Sequence, residues 1–238
     1  MMGPIGLHGG GEFLPGDEPF LDALLEAAAP GRPIRAVVVP TAGARGRPEL
    51  AAANGVGALE RRAAAVERSI EVRPAMIIDG PSAEDAGCAE LLRSADLIYL
   101  PGGDPDLVPA LLGPATAAGR ALRAARERGA LIAGASAGGM ALADWSWTPH
   151  GGIAGLGFVS GFAVVPHYDD VRRLSWQAKL DGLAPDGLGY LGLDERTGVI
   201  ARDGDGWRVA GAGAAYWFAR GSATPVVARH GETIGLPT

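Results

Sequence analysis

The chain has a single cysteine, Cys88, among 238 residues, so no disulfide can close within it. That usage suits a reducing compartment, and the expected location is the cytoplasm. A basic excess is missing too. The 21 Lys and Arg stand against 27 Asp and Glu, a formal net charge of −6. Without a positive footprint no nucleic-acid partner is expected, and surface repulsion favours solubility. The longest weakly polar stretch, 151–166, is Gly-rich and too short to span a bilayer, so no membrane partner is expected. The N-terminus, MMGPIGLHGGGEF, has no basic segment and no long apolar core, and does not read as a signal peptide. The dinucleotide fingerprint G-x-G-x-x-G is absent. Gly9, Gly10 and Gly11 are followed by Glu12, Phe13 and Leu14, so no cofactor is expected there. No His, Asp or Glu pair has the helical spacing of the hydrolase metal motifs, and His167 with Asp169 and Asp170 is the only cluster of note. No metal is expected. No internal repeat is visible, and residues 1–238 read as a single domain.

What is present is an alternation of apolar strands and amphipathic helices. Hydrophobic residues make up 47%, ample for a sizeable core. Strands are predicted at Pro4–Leu7, Ile34–Val39, Ala75–Ile78, Leu97–Leu100 and Ala130–Ala133. Helices are predicted at Phe20–Ala29, Glu49–Arg68, Ala83–Ser94 with Ser82 as N-cap, Asp106–Leu112 and Ala115–Arg128. Such alternation implies a doubly wound, mostly parallel sheet with right-handed crossovers and helices on both faces. Further on, strands are predicted at Phe162–Val165 and Tyr190–Asp194, with a short helix at Leu174–Leu180 between them. Thr197–Arg202, Trp207–Ala212 and Ala214–Ala219 read as a C-terminal β-hairpin region, with a turn at 203–206.

The chemistry concentrates at Gly134-Ala135-Ser136-Ala137-Gly138, a G-x-S-x-G pattern between an apolar strand and a helix. With 38 glycines in the chain, chance alone supplies ~0.2 such matches, so the context carries the reading. A strand, a one-residue corner and a helix make a nucleophile elbow. The flanking glycines are needed because side chains two positions from the corner would collide. Ser136 is then the candidate nucleophile, and the alternative is a Gly-rich turn without chemistry. In parallel sheets, ligands bind beyond the carboxyl ends of the strands. Gly102-Gly103 ends the preceding strand and should lie beside Ser136. The amides of Gly103 and Ala137 could then form an oxyanion hole. Ser136 needs a base, and the base needs an acid. His8, His150, His167 and His230 are available; position alone favours His167, then His230.

The segments LPGGD at 100–104, GASAGGM at 134–140, GFAVVPHYDD at 161–170 and GLDERTGVIA at 192–201 resemble the peptidase E and cyanophycinase family of serine peptidases. The resemblance runs over roughly residues 5–220, in the same order. It implies a fold similar to class I glutamine amidotransferases, with Ser136 as nucleophile, His167 as base and Glu195 as acid; Asp144 and Asp194 are weaker candidates for the acid. It further implies cleavage after an acidic residue, as in Asp-X dipeptides, or of β-aspartyl linkages. An acidic substrate side chain needs a cation, and Arg172 and Arg173 follow His167 where family members often carry arginine. Asp104 of the GGD loop joins them as a substrate-binding candidate. The expected partners are a small acidic peptide and a second copy in a homodimer. Two other readings compete: an α/β-hydrolase esterase using His230 and an acid such as Asp203, and an inactive amidotransferase-like binding scaffold.

Overall fold

The computed structural model describes residues 2–169, 180, 182–202 and 206–237. Strand β1 (Ile5–His8) lies in the middle of an eight-stranded sheet. On one side it pairs in parallel with β5 (Leu131–Ala135), followed by β4 (Leu97–Leu100), β2 (Ile34–Val38) and β3 (Ile70–Pro74), all parallel. On the other side it pairs antiparallel with β10 (Thr197–Arg202), then β11 (Gly206–Gly211) and the short β14 (Thr233–Ile234). A second sheet has the order β13 (Val226–Arg229), β12 (Ala214–Phe218), β9 (Gly189–Leu193), β8 (Phe162–Val165). Strands β6 (Trp145–Thr148) and β7 (Gly151–Ala154) form a separate hairpin.

The period-2 direction of strand side chains explains why both faces are covered. Leu97, Tyr99, Leu131, Ala133 and Ala135 point to a core shared with helices α1 (Glu18–Ala27) and α2 (Pro48–Ala65). Ile98, Leu100 and Ile132 point the other way, to a core shared with the helices that follow α2. Those helices are α3 (Gly80–Ala83), α4 (Ala86–Ser94), α5 (Leu107–Leu112), α6 (Ala117–Glu127) and α7 (Ala137–Leu142). The architecture is therefore the doubly wound α/β fold that the sequence implies.

Three local expectations are corrected. The third parallel strand is Ile70–Pro74, not Ala75–Ile78. It lies at the sheet edge and carries Glu71 and Arg73, so it lacks the apolar run that marks an inner strand, while Ala75 and Ile77 are buried beyond its end. The single helix at Ala83–Ser94 is two. Asp79 accepts from Ser82 N and Asp85 from Cys88 N, each starting its own helix, and Ser82 is the third residue of a capping box, not the cap. Ala214–Phe218 does not pair with Gly206–Gly211. It crosses to the second sheet, between β9 and β13. The predicted helix 174–180 lies outside the described residues except for Leu180, and so does most of the turn at 203–206.

Parallel pairing sets the site. β1, β4 and β5 end side by side, with His8 opposite Ala135 and Leu100 opposite Gly134. β8 and β9 are also parallel neighbours, with Val165 opposite Gly192. The loops that leave these five strands can therefore converge.

Candidate active site

Ser136 stands alone between β5 and α7, with φ 48° and ψ −117°. Positive φ is strained for a side chain with a Cβ and persists only where the surroundings enforce it. Here Ser136 N donates to His8 O (2.9 Å) and Met140 N donates to Ser136 O (2.9 Å). A Cβ on Gly134 would lie 2.4 Å from the Gly138 carbonyl, and one on Gly138 would lie 2.1 Å from Leu100 O. The corner closes only with glycine at both places, which is the steric content of the elbow pattern.

His167 follows β8 after Pro166 and is pinned by its backbone, since His167 N donates to Gly9 O (2.7 Å). Its Nε2 lies 3.0 Å from Ser136 Oγ and its Nδ1 lies 2.7 Å from Glu195 Oε1. A carboxylate only accepts, so Nδ1 carries the proton and Nε2 presents its lone pair to the serine hydroxyl. The His167 and Glu195 side chains are each 35% exposed, open enough for a substrate to reach them. Glu195 N donates to Asp169 Oδ1 (3.0 Å), which ties the ends of β8 and β9 together.

The floor under these residues is the loop 9–11, and sequence reasoning missed this role. A Cβ on Gly10 would lie 2.3 Å from His167 Cε1, and one on Gly11 would lie 3.2 Å from Glu195 Oε2. Gly10 O also accepts from Arg196 N (2.7 Å). The triple glycine is thus the bed of an imidazole and a carboxylate. The loop is held from below by two fully buried polar residues. His8 Nδ1 accepts from Gly10 N (3.2 Å), and Asp17 Oδ2 accepts from Phe13 N (2.8 Å). His8 Nε2 stands 2.8 Å from Asp17 Oδ1, in contact but out of hydrogen-bond alignment.

Glu12 was missed as well. Its Oε1 accepts from Gly102 N at 2.7 Å, across the mouth of the elbow. Glu12 and Asp17 both face the buried Tyr99, whose phenol is raised well above its ordinary range by burial and then by these two charges. The only sequence signal for Glu12 was its place directly after the glycine run.

Of the expected oxyanion donors, Ala137 is the first residue of α7, so its amide is one of the first-turn N–H groups without a partner inside the helix. Gly103 has φ 147°, and a Cβ there would lie 2.2 Å from Ala42 O. Asp104 is anchored by its amide to Ala42 O (2.7 Å) and by its carboxylate to Arg45 Nη1 (2.5 Å). Arg172 and Arg173 lie outside the described residues.

The other candidates are not brought to Ser136. His150 is 81% exposed and 3.8 Å from Asp106. His230 Nδ1 accepts from Gly211 N (3.4 Å), so the esterase-like use of His230 gives way to His167 as the imidazole at the serine; Asp203 lies outside the described residues. Asp144 is exposed, and Asp194 Oδ2 accepts from Ala214 N (2.9 Å) and Tyr216 OH (3.4 Å). Burial raises the Asp194 carboxyl above its ordinary value. Among the described residues no three His, Cys, Asp or Glu side chains are grouped to hold a metal, and no helix is long and apolar enough to cross a membrane.

The sequence-family model described as Peptidase family S51 matches residues 7–206. Among solved structures, a peptidase from an acI-B1 Actinobacterium is similar over 99% of this chain and 98% of its own, at 25% identity and a TM-score of 0.79. A peptidase E protein from Listeria monocytogenes EGD-e is similar over 90% of this chain and 100% of its own, at 16% identity and a TM-score of 0.64, a likeness of fold. No curated protein matches the sequence. With a family model spanning most of the chain, this protein belongs to peptidase family S51 and is a serine-type peptidase.

Proposed function

We propose that Ser136, His167 and Glu195 are the catalytic triad and that the enzyme hydrolyses small peptides after an acidic residue, Asp-X dipeptides first. The observation that carries the triad is the unbroken relay from Ser136 Oγ through the imidazole to Glu195, 3.0 Å and 2.7 Å long. Ser136 Oγ attacks the scissile carbonyl carbon and its proton passes to His167 Nε2. The carbonyl π pair moves to oxygen, where the amides of Gly103 and Ala137 receive it; each such donor is worth about 10²–10³ in kcat. The imidazolium, steadied by Glu195, returns the proton to the leaving amine as the C–N bond breaks. An acyl ester on Ser136 remains. Water attacks it by the same route and releases the acid.

The acidic preference rests on the family resemblance and on charge. Asp104 lines the loop beside the elbow, with its own carboxylate occupied by Arg45. Arg172 and Arg173 are the proposed partners of the substrate carboxylate. The test is a screen of Asp-X, isoAsp-X and neutral dipeptides against wild type and Ser136→Ala. Hydrolysis of Asp-X by wild type and none by a folded Ser136→Ala protein is expected. A preference for isoAsp-X would redirect the reading to β-aspartyl linkages, and equal cleavage of neutral dipeptides would overturn the acidic specificity.

A further inference from the structure

We propose that Glu12 is a specificity-determining residue that receives the free N-terminal ammonium of the substrate, so that the enzyme acts on unblocked N-termini. This rests on Ser136 being the nucleophile.

Glu12 and Ser136 face each other over Gly102. A methyl group on Gly102 would touch both, at 3.0 Å from Glu12 Oε1 and 3.1 Å from Ser136 Cβ. Both distances are tighter than ordinary contact, so the absence of a side chain on Gly102 is what lets the carboxylate and the serine come this close. In a peptide cut after its first residue, the α-nitrogen lies only ~2.5 Å from the carbonyl carbon under attack. The ammonium must therefore sit within a few ångströms of Ser136 Oγ, and Glu12 is the carboxylate there that the triad does not use.

The carboxylate is also fixed. Gly102 N holds Oε1, and its loop is anchored by the Phe13 N bond to Asp17 and the Gly10 N bond to His8. Gly102 N is its only hydrogen-bond donor among the described residues, and no Lys, Arg or His among them pairs with it. The other carboxylate oxygen has no hydrogen-bond donor among the described residues.

Electrostatics makes the residue selective rather than merely sticky. Acyl transfer builds negative charge on the carbonyl oxygen. A bare carboxylate close by opposes that charge. A substrate that brings an ammonium cancels the opposition and gains an ion pair, whereas an N-acylated substrate leaves it standing.

Glu12 could instead serve only to position the Gly102 loop, and Glu12→Gln separates the two roles. Glutamine keeps an oxygen acceptor for Gly102 N but loses the charge. The substrates are the dipeptide that wild type cleaves fastest and its N-acetyl form. Wild type is expected to prefer the free amine by ~10²-fold or more in kcat/KM, and Glu12→Gln to shrink that preference at least ~30-fold, as for an ion pair stripped of one partner. Glu12→Ala should shrink it as much and also slow both substrates by loosening the Gly102 loop. A Glu12→Gln enzyme with the wild-type preference overturns the proposal, as does a wild type that cleaves both forms equally. Fluorophosphonate labelling of wild type, mapped by peptide mass, tells the two failures apart. A label on Ser136 without amine preference refutes Glu12 alone. A label on another serine takes the Ser136 reading down with it.

Discussion

A single methyl group at Gly10 should slow catalysis by ~10²-fold without unfolding the protein. The alanine Cβ would stand 2.3 Å from His167 Cε1, 2.7 Å from Nε2 and 3.0 Å from Nδ1. Carbon atoms in contact rest near ~3.5 Å, so the ring must retreat by about 1 Å. The relay has no slack for that, at 3.0 Å to Ser136 and 2.7 Å to Glu195. A misplacement of ~1 Å at a reacting group costs ~10²-fold in rate. The stability cost is smaller. Gly10 has φ 102°, which strains an L-residue by ~1–2 kcal/mol, and the ring can yield because it is 35% exposed. Gly31→Ala is the control. Its φ is 75° but nothing lies within 4 Å of the added methyl, so it should lose similar stability and keep full turnover. The assay is kcat on the best dipeptide together with urea unfolding. A Gly10→Ala enzyme that keeps kcat within about threefold of wild type would refute the placement of the imidazole on this loop.

Three further outcomes are expected. Glu195→Gln should keep the fold and lose at least ~10²-fold in kcat through the wrong tautomer or a less stabilised imidazolium, while His230→Ala changes the activation free energy by ~1 kcal/mol or less; parallel kinetics on both variants check this. Burial works against the charge of Asp96, yet hydrogen bonds from Arg32 and Arg35 hold its carboxyl well below the usual range. A depressed folded-state value means stability that is full above the unfolded value of ~3.9 and drains as pH falls below it. Asp96→Asn should therefore cost ~2–4 kcal/mol in urea unfolding at pH 7 and flatten the acid limb of stability against pH.

The core and the elbow at Ser136 were legible in the sequence for a shared reason: each leaves a local pattern. Apolar runs such as Leu97–Leu100 and Phe162–Val165 are bounded by turn residues, and the elbow carries its own steric glycines. What escaped depends on contacts between distant segments. Ile70–Pro74 is a strand because it finds the edge beside β2, and Ala214–Phe218 pairs with β9 and β13 of the second sheet, not with its sequence neighbour β11. The 9–11 loop carries no nucleotide fingerprint, and its role appears only where His167, 157 residues from Gly10, rests on it. Glu12 had no signature beyond its place after the glycine run, since its bond to Gly102 spans 90 residues.

The central claim is that Ser136 and His167 act as one unit, and a double-mutant cycle on kcat/KM tests it most directly. Ser136→Ala and His167→Ala should each lose at least ~10³-fold on the best dipeptide, and the double variant should be scarcely worse than either, with unchanged circular dichroism in all three. Losses that multiply in the double variant, or a folded His167→Ala enzyme with near-normal turnover, would contradict it.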